Sequence, residues 1–495
     1  MARENRYSAE TLLLLTSHAG LESNFDESGV AGVYDSIGRI AAARRAAGLR
    51  VHVYVPDNAA RSSGDFPSIE GEITPRALRE ALGAVENDVC SPGRFDYVLI
   101  VGSGEIVPYW YLENPAADSD REFPTDVPYA AAAGGGEKAA GDEDVVDDFL
   151  LPDRAVARIP LGAAPAGGLL AYLEAAASGE WKGPGRNAHF GLSALEWKME
   201  STRVYGALAA EGLRTSPPVD ISTFEPEWLE REAMIYFNVH GSREEKYWYG
   251  QDGLSYPRVL SPETVAEAAP ANAIVLSEAC YGGLVDGKTP EDSVAMGFLS
   301  VGVAAFIGSS AIAYGSPDER LTEADLLAYF FFTRLVAGET AGRALREAKV
   351  DFAAEMLKRQ GYLDGDDRKT LLEFNLFGDP TVGIYKGRGS EDRSPDMVSE
   401  EVLASIVKLA RERFPELEGV RPDISEQAGA AGEAVAKKIG MLRPSSAAKG
   451  GPRPEGRVFI ATFRQTITVE GRDIERVVRI TFSESGRVVK VVSSK

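Results

Sequence analysis

Short apolar runs recur along the first 385 positions, each followed by a longer stretch of helical periodicity. Thr11–Thr16, Val51–Val55 and Tyr97–Val101 are unbroken or nearly unbroken hydrophobic runs, and Val30–Ala47 and Pro75–Val85 read as helices. A strand apolar on both faces must be covered on both faces, and parallel neighbours need a crossover of a dozen or more residues. This rhythm predicts a mostly parallel sheet with helices on both sides, an α/β architecture. A second series follows from about residue 187. Its strands are expected at His189–Ser193, Met234–Val239, Ala273–Ser277, Ala304–Gly308 and Thr381–Tyr385. Its helices are expected at Thr202–Glu211, Pro262–Ala268, Ser293–Ser300, Glu323–Ala337 and Thr340–Arg359.

With 495 residues the chain is long enough for several domains. Residues 1–185 and 186–388 each hold one strand–helix series and are expected to form two subdomains. Residues 389–456 read as a linker and a helix, Ser399–Phe414, and 457–495 as a small antiparallel module with turns at Glu470-Gly471 and Ser485-Gly486. Segments 386–396 (KGRGSEDRSPD) and 441–456 (MLRPSSAAKGGPRPEG) are linkers by composition, and 131–148 turns from small residues to acidic ones, as surface loops do.

The formal net charge is −22, from 75 acidic and 53 basic side chains. Such a surface repels phosphate backbones and anionic lipid, so neither nucleic acid nor membrane is an expected partner. The two cysteines, Cys90 and Cys280, make neither a disulfide framework nor a zinc motif, which fits a reducing compartment. Near the N-terminus only Leu12–Leu15 is strongly apolar, and no run reaches eighteen apolar residues. A cytoplasmic protein is expected.

Within this frame one pair of residues stands out. His240 directly follows Ile235–Val239 and precedes Gly241, while Cys280 follows Ala273–Leu276 and precedes Tyr281-Gly282-Gly283. Between them Ser261-Pro262-Glu263 has the pattern of a helix cap and first turn. The interval is one strand–helix–strand crossover, which returns the chain to a neighbouring parallel strand about 4.8 Å away. Both side chains would then emerge at the carboxyl edge of the sheet, where sites form in open α/β folds. A thiolate can attack there while an imidazole moves the proton, and the backbone N–H groups of Gly241 and Cys280 could hold the oxyanion of an attacked carbonyl. An isolated cysteine or histidine is more often structural, as Cys90, His18 and His52 are expected to be. The matched edge positions and flanking glycines separate Cys280 and His240 from that background. The loop VGSGE (101–105) lacks the remaining residues of a phosphate cradle.

These motifs resemble a known group. NVHGS (238–242) and SEACYGG (277–283) are similar to the His-Gly and Glu-Ala-Cys elements of the caspase-like, clan CD cysteine peptidases, and in particular of the gingipain family. DYVLIVGSGEIVP (96–108), FPTDVPYA with LPDRAVARIP (within 123–160) and FNLFGDPTVGIY (374–385) extend the resemblance over roughly residues 10–388. It implies a caspase-like three-layer fold in two subdomains, the first non-catalytic and the second, 186–388, carrying catalysis, and a cysteine endopeptidase acting on protein or peptide substrates. It also implies an acidic residue that orients the histidine, placed here at Glu196, with Glu200 able to exchange roles with it. In the arginine- and lysine-specific members an acid recognises the residue before the scissile bond. By that resemblance Glu200 is the candidate here, with Asp286 and Asp292 behind it and Ser309, Ser310 and Tyr314 along the pocket wall. No cofactor or metal is expected. Asp126 and Asp153 are the positions for a calcium ion, which some members of the clan bind, although no EF-hand pattern accompanies them. Two alternatives share the fold: a dedicated processing protease of a bacterial signalling or antiviral-defence cascade, made as a zymogen and activated by cleavage, and a catalytically silent scaffold.

Overall fold

The computed structural model describes residues 10–90, 94–131, 149–162, 168–178, 188–315, 320–384, 400–413, 422–426, 458–469, 472–483 and 487–493. The linkers 386–396 and 441–456, and the 131–148 loop apart from Ala131, lie outside these residues. The chain divides into two compact units, Met1–Lys386 and Gly387–Lys495.

The first unit is built on one ten-stranded sheet. Its strands are β1 (Thr11–Leu15), β2 (Arg50–Tyr54), β3 (Tyr97–Val101), β6 (Ala155–Ile159), β7 (His189–Ala194), β8 (Leu213–Ser216), β9 (Met234–Asn238), β12 (Ile274–Ser277), β13 (Ala305–Ser309) and β14 (Phe374–Gly378). Two small hairpins stand apart from it, β4 (Trp110–Glu113) with β5 (Glu122–Thr125), and β10 (Trp248–Tyr249) with β11 (Arg258–Leu260). The order across the large sheet is β2-β1-β3-β6-β14-β13-β12-β9-β7-β8. Every residue of β1, β3, β9 and β12 is buried, as continuous apolar runs require of interior parallel strands.

Two expectations shift. The strand placed at Thr381–Tyr385 is instead Phe374–Gly378, with the Asp379-Pro380 turn beyond it, while Gly383 makes only an isolated bridge to Thr340. All five residues of β14 are buried, and it pairs antiparallel with β13. The apolar positions of FNLFG are therefore the ones the core claims. The helix placed at Thr202–Glu211 begins earlier, at Lys198, and ends at Tyr205, followed by the short edge strand β8. β6, not anticipated as a strand, carries Arg158 next to its end among apolar neighbours, held by a buried bidentate ion pair to Asp126 at 2.6 and 2.7 Å.

A second buried ion pair ties the ends of the unit together. Arg44, in the helix Glu27–Ala46, binds Asp379 through Nε at 3.1 Å and through Nη2, with Asp379 fully buried. In the second unit β15 (Asp423–Glu426), β16 (Val458–Val469), β17 (Arg472–Ser483) and β18 (Val488–Ser493) form an antiparallel sheet in that order, and the helix Glu400–Arg413 belongs to the same unit. The sequence pattern anticipates three of these strands. β15 is too short to announce itself before its pairing with β16 exists.

Candidate active site

β9 and β12 are adjacent and parallel, with Phe237 opposite Ser277. His240 and Cys280 each lie three positions beyond that pair, so they continue one register at the carboxyl edge. The helix between the strands, Pro262–Ala268, is capped by Ser261, whose Oγ accepts from Thr264 N–H at 3.3 Å. Gly241 sits against the other loop: a Cβ there would run into the carbonyl oxygen of Cys280. Only glycine permits that approach.

Both residues line one cavity of about 270 Å3, with Trp197, Asn238, Glu278, Tyr314 and Asp325 among its walls. Side chains two apart on a strand share a face. Asn238 and Glu278 therefore point where His240 and Cys280 point. The Cys280 thiol donates to the Ala313 carbonyl at 3.5 Å, and burial pushes its pKa up to about 11. Burial also lowers the His240 pKa from the ordinary imidazole value. The resting pair is thus a thiol and a neutral imidazole, not an ion pair. Around Cys280 the neighbouring N–H groups are already committed, Ala279 to Ser277 Oγ at 3.2 Å and Tyr281 to the Ala311 carbonyl at 2.7 Å. Among the described residues the N–H groups of Gly241 and Cys280 donate to nothing.

The loop after Cys280 is held from the β4–β5 hairpin. Tyr281 has φ +54, a left-handed conformation that costs a non-glycine residue about 1–2 kcal/mol. Its hydroxyl donates to Asp120 Oδ1 at 2.7 Å, and Ile312 N–H donates to Asp120 Oδ2 at 2.9 Å. Lys369, fully buried, binds Asp120 at 2.9 Å and Asp118 at 2.6 Å, and Tyr314 donates to Asp118 at 2.7 Å. The Asp118–Asp120 segment, between β4 and β5, thereby clamps both loops that carry the cavity wall.

The expected site residues separate into those the cavity collects and those it does not. Tyr314 lines it. Glu196 is exposed, and its Oε2 accepts from Gly253 N–H at 3.4 Å, while the ring nitrogen Nε2 of His240 meets Gln251 Oε1 at 2.8 Å. Glu200 is buried on the helix Lys198–Tyr205, away from the cavity lining, because the helix starts before it rather than after it. Asp286 bonds the Tyr111 hydroxyl, and Asp292 accepts from Thr289 N–H at 2.7 Å beside a separate shallow cleft. Ser309 and Ser310 are buried, bonding the Ala311 and Glu373 carbonyls at 3.0 and 3.3 Å. They shape the turn that delivers Ala313 and Tyr314 instead of facing the cavity. Of the calcium candidates, Asp126 is engaged by Arg158 and Asp153 pairs with Arg94.

The acids that do face the cavity are Glu278 and Asp325. Tyr236 donates to Glu278 Oε1 at 2.8 Å, and Asn238 Nδ2 donates to Asp325 Oδ1 at 3.2 Å. Burial first, and then the Asp325 carboxylate beside it, push the Glu278 carboxyl well above the usual range. Burial and that neighbour therefore favour the protonated form of Glu278. Glu278 had a sequence signal, a carboxylate inside an otherwise apolar strand end two residues before Cys280. Asp325, in the first turn of the helix Glu323–Val336, had none.

A family model described as Peptidase family C25 matches residues 16–166 and 232–385. The structure is similar to the crystal structure of the Arg-specific cysteine proteinase gingipain R, with a TM-score of 0.53, 11% identity, and 100% of this chain and 99% of that chain covered. It is also similar to a solved structure described as a protease, with a TM-score of 0.51 at 9% identity, covering 98% of each chain. No curated protein matches the sequence. The fold is the caspase-like α/β fold.

Proposed function

Because the chain belongs to peptidase family C25 and is a cysteine peptidase, we propose that it is an endopeptidase in which Cys280 is the nucleophile and His240 the proton carrier. The observation that carries this reading is the shared cavity of Cys280 and His240, with the N–H groups of Gly241 and Cys280 unspent beside it. The Cys280 sulfur attacks the scissile carbonyl carbon as its proton passes to the imidazole. The carbonyl oxygen takes the electron pair between the two N–H groups, a type of contact worth about 3–4 kcal/mol in such reactions. As the C–N bond breaks, the imidazolium returns its proton to the departing amine and a thioester remains. Water then attacks the thioester with the imidazole again as base, which restores the thiol.

We further propose that the residue before the scissile bond is Arg or Lys. The pair Glu278 and Asp325 supports this preference: both acids are buried on the cavity wall, and a guanidinium or ammonium group there gains charge-assisted hydrogen bonds as it displaces the proton that burial favours on Glu278. Neither acid has an aqueous alternative, so a neutral side chain there forgoes those bonds.

A peptide library digested by the wild-type protein tests both parts. Fragments should end in Arg or Lys and be absent with Cys280→Ala. Glu278→Gln or Asp325→Asn should lower kcat/KM for basic sites by roughly 30- to 3000-fold, the range for unpairing a buried charge. Fragments ending in Asp or in apolar residues would refute the preference and leave the nucleophile in place. Undiminished cleavage by Cys280→Ala would refute the mechanism.

A further inference from the structure

We propose that Gln251 sets the tautomer of His240, placing the ring proton on Nε2 and leaving Nδ1 as the catalytic base. The inference rests on the peptidase reading above, but the hydrogen-bond geometry carries it independently.

The assignment follows from which atoms can only accept. The Gln251 amide nitrogen lies 3.0 Å from the Gly253 carbonyl oxygen and 3.0 Å from the Tyr256 hydroxyl. A backbone carbonyl has no proton to give, so the atom of the Gln251 amide that faces it must be the NH2 group. The other end of the amide, Oε1, is then the atom 2.8 Å from His240 Nε2. An amide oxygen has lone pairs only, so Nε2 must bring the hydrogen. In neutral imidazole one nitrogen carries a proton and the other a lone pair, which leaves the lone pair on Nδ1. Among the described residues the ring makes no other hydrogen bond.

The ring is also fixed in orientation. Trp197 lies 4.3 Å from it, centroid to centroid, and Tyr256 lies 5.3 Å away on an edge contact. The Gln251–Gly253 turn that carries the amide is itself held by Glu196, through Glu196 N–H to the Gln251 carbonyl at 3.2 Å and Gly253 N–H to Glu196 Oε2 at 3.4 Å. Glu196 thus acts on the histidine at one remove. Its charge supports the turn, and a neutral amide touches the ring.

Two consequences follow for the reaction. The Cys280 proton moves to Nδ1 as the sulfur–carbon bond forms, and the same proton leaves Nδ1 for the amine nitrogen as the C–N bond breaks. Nε2–H remains on Gln251 throughout. Second, an amide dipole stabilises imidazolium less than a carboxylate does, so the base stays neutral in mildly acidic solution, in keeping with the lowered His240 pKa. The titratable groups around the ring are Cys280, Glu278, Asp325 and Tyr314 on the shared cavity, and Tyr256 and Glu196 on the flanking loops.

The test combines a spectrum with kinetics on the full chain. In long-range proton–nitrogen spectra of histidine-labelled protein at pH 7, the His240 signal is the one missing from His240→Ala. It should show the pattern of Nε2–H; the opposite tautomer would overturn the proposal. Gln251→Leu should lower kcat roughly a hundredfold to ten-thousandfold with KM little changed. Gln251→Glu keeps an acceptor on Nε2 and adds charge, so it should retain activity and move the acid limb of the kcat profile up by about one pH unit. A Gln251→Leu enzyme with wild-type kcat, or a Gln251→Glu enzyme with an unmoved acid limb, would overturn the proposal even where the other variant folds poorly. If Cys280→Ala kept full activity, the peptidase reading would fall, while the tautomer would still be decided by the spectrum.

Discussion

At Cys280 the sulfur meets apolar burial and a carbonyl acceptor rather than a cation, and its pKa rises to about 11. At pH 7 roughly one thiol in ten thousand is then ionised. Alkylation of Cys280 by iodoacetamide in the absence of substrate should therefore speed up about tenfold per pH unit between pH 7 and 10. A plateau beginning near pH 6 would instead reveal a preformed thiolate–imidazolium pair. The sign is opposite for His240, whose neutral form burial favours. Turnover that needs the neutral base should hold its plateau below pH 6.5 and fall only under more acidic conditions. In the same unit of action, His240→Ala joined to Cys280→Ala should be little worse than either single variant, as expected of residues serving one step.

Among the elements, two buried ion pairs anchor strands of the sheet, Arg158 of β6 with Asp126 and Asp379 after β14 with Arg44. Asp379 closes β14 and binds Arg44. Removing one partner of such a pair strands the other charge in a low-dielectric site, at about 3–5 kcal/mol. Asp379→Ala should lower the thermal midpoint strongly, whereas exposed pairs such as Arg76 with Glu80 should matter little when broken. A midpoint unchanged in Asp379→Ala would mean that Arg44 finds solvent easily and that β14 is not anchored there. The same elements explain the altered boundaries. A helix beginning at Lys198 instead of Thr202 turns Glu200 inward, and a strand at Phe374–Gly378 puts Lys349 Nζ on the Phe374 carbonyl at 2.8 Å.

For the whole molecule the division after Lys386 gives a direct prediction. A chain ending at Lys386 should fold with a cooperative transition and retain peptidase activity. An insoluble or inactive product would show that residues after 386 belong to the catalytic unit. The intervening stretches hold Arg388, Arg393, Arg443, Lys449 and Arg453, all basic sites of the kind proposed as substrates. Mass spectrometry of purified wild-type protein beside Cys280→Ala checks whether the enzyme cuts there. Fragments ending at those residues in the wild type alone would support self-processing, and identical intact masses would count against it. The net charge of −22 suits a basic substrate approaching from solution, so kcat/KM for such peptides should fall with added salt.

By itself, the chain of residues determined the strand-and-helix alternation, the cap at Ser261 and the placement of His240 and Cys280 at matching strand ends. Each is a property of neighbours along the chain: period, propensity and the few residues around a terminus. Only the tertiary structure decided what surrounds that pair. Gln251 reaches His240 through a turn eleven positions on, Asp325 arrives from a later helix, and Lys369 holds Asp118 and Asp120 of the β4–β5 hairpin. β14 could be recognised as apolar, but its insertion between β6 and β13 was invisible, because strand order is chosen by which faces the whole core can bury. Glu200, Asp286 and Asp292 were the acids expected by resemblance, whereas the cavity collects Glu278 and Asp325. The two sets part company because pocket membership depends on where several chain segments converge, and convergence has no local signature.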